Sequence, residues 1–174
     1  IKRLNNANGW RVYHHSIGLG KYLSVSNNNG ETTSSEDFAS VSATTFGVKG
    51  GYDPISINGG TYVAYCWHSV PGYSKMGVYR TNGNANGPYE HLGFKPAWIM
   101  IKNYSGTKPW YIIDNKRSPH NERKVSLKLN TSGDQTDSNF IDFYSMGFKL
   151  RTTGGDVNGN NSDRVMYMAF AEQS

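Results

Sequence analysis

Trp110-Tyr111-Ile112-Ile113 is apolar on both faces of an extended chain, which predicts a central strand covered from both sides. Tyr62-Val63-Ala64-Tyr65-Cys66-Trp67-His68 has the same character. In Val125-Ser126-Leu127-Lys128-Leu129 and in Phe148-Lys149-Leu150-Arg151, apolar and polar residues alternate as they do on half-buried strands. No stretch sustains apolar positions at helical spacing. Between the strands lie Asn27-Asn28-Asn29-Gly30, Asn58-Gly59-Gly60, Asn82-Gly83-Asn84 and Asn158-Gly159-Asn160-Asn161, whose residue types supply the positive φ of tight turns. The pattern predicts an all-β fold.

Composition agrees with this and narrows the function classes. The chain has 174 residues with 20 Gly and 18 Asn, and its 13% aromatic content gives it the bulk to fold. The longest apolar run, Ala97-Trp98-Ile99-Met100-Ile101, is far short of the roughly 20 residues that cross a bilayer, so no membrane span is expected. The net charge of +5 is spread along the chain without a dense basic stripe, and nucleic acid is not an expected partner. A single cysteine, Cys66, excludes an internal disulfide framework and a multi-cysteine zinc site. Ile1 opens the chain without an initiator Met or a signal-peptide pattern, as in a mature product or an excised segment.

The chain also resembles itself. An offset of 100 sets Ile1-Lys2 on Ile101-Lys102, Trp10 on Trp110, Val12 on Ile112, Gly47 on Gly147 and Asn58-Gly59 on Asn158-Gly159. Five residues more place Tyr62-Val63-Ala64-Tyr65 on Tyr167-Met168-Ala169-Phe170. This predicts two tandem, related antiparallel β-sandwich-like domains, residues 1–76 and 77–174. The second copy has a lead-in, Gly77 to Met100, that the first lacks, so the first is expected to miss its opening strand. The groove left behind would be met by a strand from a neighbouring copy or from sequence upstream; alternatively, the chain is simply trimmed. Ile1, Lys2, Arg3 and Leu4 are the expected self-association edge.

Enzymatic signatures are sparse. No H-E-x-x-H, paired-cysteine motif, phosphate loop or G-x-S-x-G elbow occurs, so no catalytic residue, metal or cofactor is expected. His14-His15 would point to opposite faces of a strand and chelate poorly. Cys66 fits a small buried position better than a nucleophile paired with His68. Asp134, Asp137 and Asp142 lack the regular spacing of a calcium loop. The basic segment Lys116 to Lys124 carries no interleaved aromatics and is expected to be a solvated loop. More informative are the twelve tyrosines, several of them in turn-rich sequence. Rings beside Asn, Asp and Gly suit a carbohydrate, whose apolar face stacks on the ring while its hydroxyls meet the amides. Tyr73, Tyr79 and Tyr89 are the candidate glycan-binding residues.

The run Tyr62 through Lys75, then Asn82-Gly83 through Gly87-Pro88, then Gly93-Phe94-Lys95-Pro96-Ala97-Trp98-Ile99-Met100-Ile101-Lys102, resembles a module of tail-fibre and other virion structural proteins from phages of aquatic bacteria. Trp110 to Pro119 resembles the middle of that module, and Tyr167-Met168-Ala169-Phe170-Ala171-Glu172 its end. The resemblance implies an extended extracellular or virion-surface appendage whose modules are spacers, surface binders or both, and the chain is expected to bind rather than to catalyse. Its expected partners are other copies of itself in a fibre and host cell-surface glycan, bound by many weak contacts. A homopolymeric filament joined head-to-tail by strand complementation is the second expectation, and a glycan depolymerase with a carboxylate pair assembled by folding is the third.

Overall fold

A computed structural model of the chain describes residues 1–132 and 141–172. The fold is all-β, as the alternating patterns predict, with several antiparallel sheets and, among the described residues, one short helix. The elements in chain order are β1 (Lys2–Arg3), β2 (Lys21–Tyr22), β3 (Thr32–Thr33), β4 (Phe38–Val41), β5 (Phe46–Val48), α1 (Asp53–Ser56), β6 (Tyr62–Val63), β7 (Ser74–Asn82), β8 (Tyr89–His91), β9 (Pro96–Asn103), β10 (Trp110–Asp114), β11 (Leu127–Lys128), β12 (Ile141–Tyr144), β13 (Gly147–Leu150) and β14 (Asn161–Ala171). They fall into two compact units, Ile1–Trp67 and His68–Ser174, and β7 begins ahead of residue 77.

In the second unit a five-stranded sheet runs in the order β11-β10-β9-β14-β7, and a three-stranded sheet in the order β12-β13-β8. Alternation aims Ile99 and Ile101 of β9, and Val165, Tyr167 and Ala169 of β14, into one core. Phe143, Phe148 and Leu150 enter the same core from the smaller sheet, and the Phe148 ring meets Tyr167 edge-on at 5.2 Å. Trp110, Tyr111 and Ile113 are each 1% exposed, so β10 is the covered strand its composition predicts. Phe148 to Arg151 alternates as expected. Val125 to Leu129 does not: Ser126 is the fully buried residue, while Leu129 is exposed.

The first unit is built of short two- and three-residue pairings around a small core that includes Ile17, Leu23, Phe38 and Ile55. An ion pair between Arg11 and the fully buried Asp37, at 3.2 Å, lies beside it, with the Arg11 guanidinium 4.0 Å from the Tyr22 ring centroid. Local bonds recur between the units. Ile1 and Arg11 exchange backbone hydrogen bonds of 2.8 and 2.9 Å, and Ile101 pairs with Tyr111. Lys2 Nζ donates to the Asn8 carbonyl, and Lys102 Nζ to the Lys108 carbonyl. The Tyr52 carbonyl accepts from Ile55 N and Ser56 N, and the Gly154 carbonyl accepts from Val157 N and Asn158 N. In each turn the third residue after the acceptor, Ile55 or Val157, is buried.

Two expectations for the first unit are corrected. Ile1 to Leu4 is not an open edge, because Ile1 bonds Arg11 on one side while β1 pairs with β6 on the other, with Lys2 opposite Val63, Arg3 opposite Tyr62 and Leu4 N donating to the Thr61 carbonyl. Nor is Tyr62 to His68 a strand covered on both sides. Only Tyr62 and Val63 are half-buried, and the run from Ala64 onward is exposed.

Candidate glycan-binding surface

The three candidate tyrosines are in different environments. Tyr79 lies on β7 opposite Val165, an inward-facing position, and is 2% exposed. Its hydroxyl donates to the Val157 carbonyl at 3.0 Å, and its ring meets Phe148 edge-on at 6.2 Å. Burial raises its pKa well above the ordinary phenol value. Tyr79 is therefore a core residue and cannot stack on a sugar. Tyr73 is 45% exposed and rests edge-on against Phe170 at 5.8 Å. Tyr89, also 45% exposed, faces outward on β8.

Tyr89 has a partner that sequence reasoning missed. The Tyr144 ring stands 6.1 Å from it at 66°, and it is 40% exposed. Register explains the meeting. Across β12-β13-β8, Asp142 pairs with Lys149 and Lys149 with Tyr89, while Tyr144 pairs with Gly147 and Gly147 with His91. Directly paired residues share a face, so all six belong to the outer side. Gly147 makes the approach possible, because a Cβ there would stand 3.0 Å from the Tyr89 hydroxyl and 2.0 Å from the Glu90 carbonyl oxygen.

Charged groups flank the rings. The Tyr144 hydroxyl donates to Asp142 Oδ2 at 3.0 Å, and Arg151 Nε lies 3.4 Å from the same oxygen. Donation to that carboxylate raises the Tyr144 pKa. This face thus offers two ring surfaces, an ammonium and a guanidinium, groups that stack on sugar rings and bond their hydroxyls, while the Asp142 carboxylate beneath them is buried at 7% exposure and holds Tyr144 and Arg151 in place. The only sequence signal for Tyr144 was the alternation of Ile141-Asp142-Phe143-Tyr144, which places it beside Asp142 but not beside Tyr89.

The remaining candidates carry less. His14 and His15 do not point to opposite faces: they sit in a turn with ring centroids 4.3 Å apart, and Ser16 N donates to His14 Nδ1. Among the described residues no group of three or more His, Cys, Asp or Glu could hold a metal ion. Asp134 and Asp137 lie outside the described residues. Cys66 is exposed rather than buried. In the basic segment, Asp114 Oδ1 accepts from Lys116 N and Arg117 N, and its other oxygen meets the Arg117 guanidinium. That turn closes a shallow depression lined by Ala97, Trp98 and Asn115. Arg123 is not solvated at all, being 4% exposed with its guanidinium 4.6 Å from the Phe143 ring centroid.

A family model described as a domain of unknown function (DUF7483) matches residues 1–174. The chain belongs to the DUF7483 family. No curated protein and no solved structure matches it. Among its described residues no helix is long and apolar enough to cross a membrane. For this DUF7483 chain the functional reading therefore rests on its own surfaces.

Proposed function

We propose that the chain is a structural and adhesive module of an extracellular or virion fibre, two tandem β-sandwich-like units that bind host surface glycan. The observation that supports this reading is the outward Tyr89–Tyr144 ring pair with Asp142, Lys149 and Arg151 beside it. A pair of half-exposed rings of this kind holds a sugar weakly. Many copies along a fibre would turn such contacts into avidity without any one site being tight. The work is binding rather than turnover, and it needs no cofactor.

The test is a Tyr89→Ala, Tyr144→Ala double variant, measured for retention on immobilised host polysaccharide. Both rings are exposed, so thermal stability should stay within about 1 kcal/mol of the parent. Retention should fall about tenfold or more, since losing two stacking surfaces removes roughly 1.5–3 kcal/mol. Unchanged retention with intact folding would overturn the assignment of this face. The Tyr79→Phe variant is the control: it should lose stability and keep retention.

A further inference from the structure

We infer that the glycan taken by the Tyr89–Tyr144 face is an acidic polysaccharide, one that carries a carboxylate on its sugar rings as a uronic acid does. The inference rests on the glycan reading and adds the class of sugar. It starts from a charge that the fold leaves without a counter-ion. Lys149 stands on β13 between Asp142 of β12 and Tyr89 of β8, directly opposite each. A carboxylate in that register can pair with an ammonium across the ladder. Asp142 pairs elsewhere. Its Oδ2 accepts from the Tyr144 hydroxyl at 3.0 Å and lies 3.4 Å from Arg151 Nε, and its Oδ1 is buried away from solvent. Among the described residues no carboxylate forms an ion pair with Lys149.

The three strands add no other acid to this face. Glu90, between Tyr89 and His91 on β8, turns inward, where it accepts from the Tyr167 hydroxyl at 3.3 Å. The segment bonded to β12 through Arg123 and Ile141 brings Glu122 and Lys124, both exposed, whose charges offset each other. Beside the two rings, solvent therefore meets the Lys149 ammonium, the exposed His91 and the guanidinium N–H groups of Arg151 that Asp142 does not take. A sugar stacked on Tyr89 or Tyr144 covers the phenol face with its C–H groups. A carboxylate on C5 projects from the rim of that sugar, sideways rather than into the aromatic ring. Cross-strand partners have Cβ atoms about 5 Å apart, so a sugar on Tyr89 holds its rim group within reach of the Lys149 ammonium. A neutral sugar there would draw water from the ammonium and return no charge. A uronate supplies the counter-ion that Asp142 does not.

The probe is polygalacturonate, immobilised beside its methyl-esterified form, which keeps the sugar rings and removes the charge. The intact chain should be retained about fivefold or more strongly on the acid than on the ester, with the difference shrinking as salt is added. Lys149→Met keeps the apolar stem and should cut retention on the acid about two- to fivefold, with retention on the ester unchanged. Lys116→Met removes the same charge from the turn after β10 and should change neither, which separates this site from the net charge of +5. Equal retention of acid and ester, both lost in the Tyr89→Ala, Tyr144→Ala variant, would overturn the inference and leave the glycan reading standing. A preference for the acid that Lys149→Met and Lys116→Met reduce alike would overturn it as an effect of overall charge. Retention on a sulfated galactan but not on polygalacturonate would overturn the carboxylate in favour of a sulfate ester. Retention of none of these polymers would also overturn the inference, and the glycan reading would then stand or fall on host polysaccharide alone.

Discussion

The ring of Tyr167 lies across Gly77 of the neighbouring strand, so closely that a Cβ on the glycine would stand 2.4 Å from the phenol oxygen. Tyr167 cannot easily yield. It is 2% exposed, its ring is held by the edge of Phe148, and its hydroxyl donates to Glu90 Oε2 at 3.3 Å. Gly77→Ala should therefore destabilise the second unit by about 1–3 kcal/mol, even though alanine is the better strand residue elsewhere. Urea unfolding would measure the loss. Adding Tyr167→Leu to the alanine variant should make the two effects clearly less than additive.

Asn158 joins three segments of the second unit from a fully buried position. Its Nδ2 reaches Asn82 Oδ1, Asn84 O and Thr152 O at 2.8–3.0 Å, and its Oδ1 accepts from Asn82 N at 2.9 Å. Asn158→Leu preserves the volume and strands these groups without partners. A loss of about 2–4 kcal/mol is expected, together with faster hydrogen exchange at the Asn82 amide. Slow exchange at Asn82 in the variant would show that the loop does not depend on this side chain.

Lys102 is fully buried on β9 opposite Trp110, and removal from water lowers its pKa to about 8 despite the nearby Asp156 carboxylate. Unfolded, the ammonium titrates near 10.5. Between those values the unfolded chain holds more protons, so the Lys102 contribution to stability rises with pH from about 8 to 10.5. Below about 8 the fold carries the whole cost of a buried charge, of order 2–3 kcal/mol. In Lys102→Met that cost is absent. The melting temperature of the variant relative to the parent should fall steadily as pH rises through this window, and a flat difference would refute the assignment.

His14 imposes the opposite end of the pH range. Burial, and secondarily His15, lower its pKa to about 4 from an ordinary 6.5. The unfolded chain therefore binds the proton first on acidification. The first unit should lose roughly 1–2 kcal/mol as pH falls from 6.5 toward 4. His14→Phe should flatten that part of the profile, which thermal melts at pH 7 and pH 4.5 would detect.

What the sequence disclosed, and what it withheld, follows from the range of the forces involved. Trp110 to Ile113 and Phe148 to Arg151 were readable because their patterns describe how side chains partition between core and water, a local property. Tyr62 to His68 carries the same apolar signature yet is exposed from Ala64 onward, since hydropathy says nothing about whether a neighbouring strand is there to cover it. Tyr79 and Tyr89 look alike in turn-rich sequence. Their fates differ because β7 presents Tyr79 opposite Val165 in the core, while β8 presents Tyr89 opposite Lys149 on the outside. Tyr144 completes the candidate surface from a distant strand, through a register that local patterns do not encode. Arg123 was expected in solvent and instead lies under the Phe143 ring, held by the pairing of its backbone with Ile141.

The direction of the β7–β14 pairing bears on how the second unit would answer tension. Ser74 is bonded beside Phe170, and Ala171 N donates to the Tyr73 carbonyl at 2.7 Å, so the first and last strands of the second unit begin and end at the same corner of the sheet. Tension applied through that unit's two ends would peel this ladder apart bond by bond rather than shear all of it at once. Peeling yields at low force and closes again readily, so the second unit would stretch as a compliant link, an extensible joint that lengthens before anything covalent is strained.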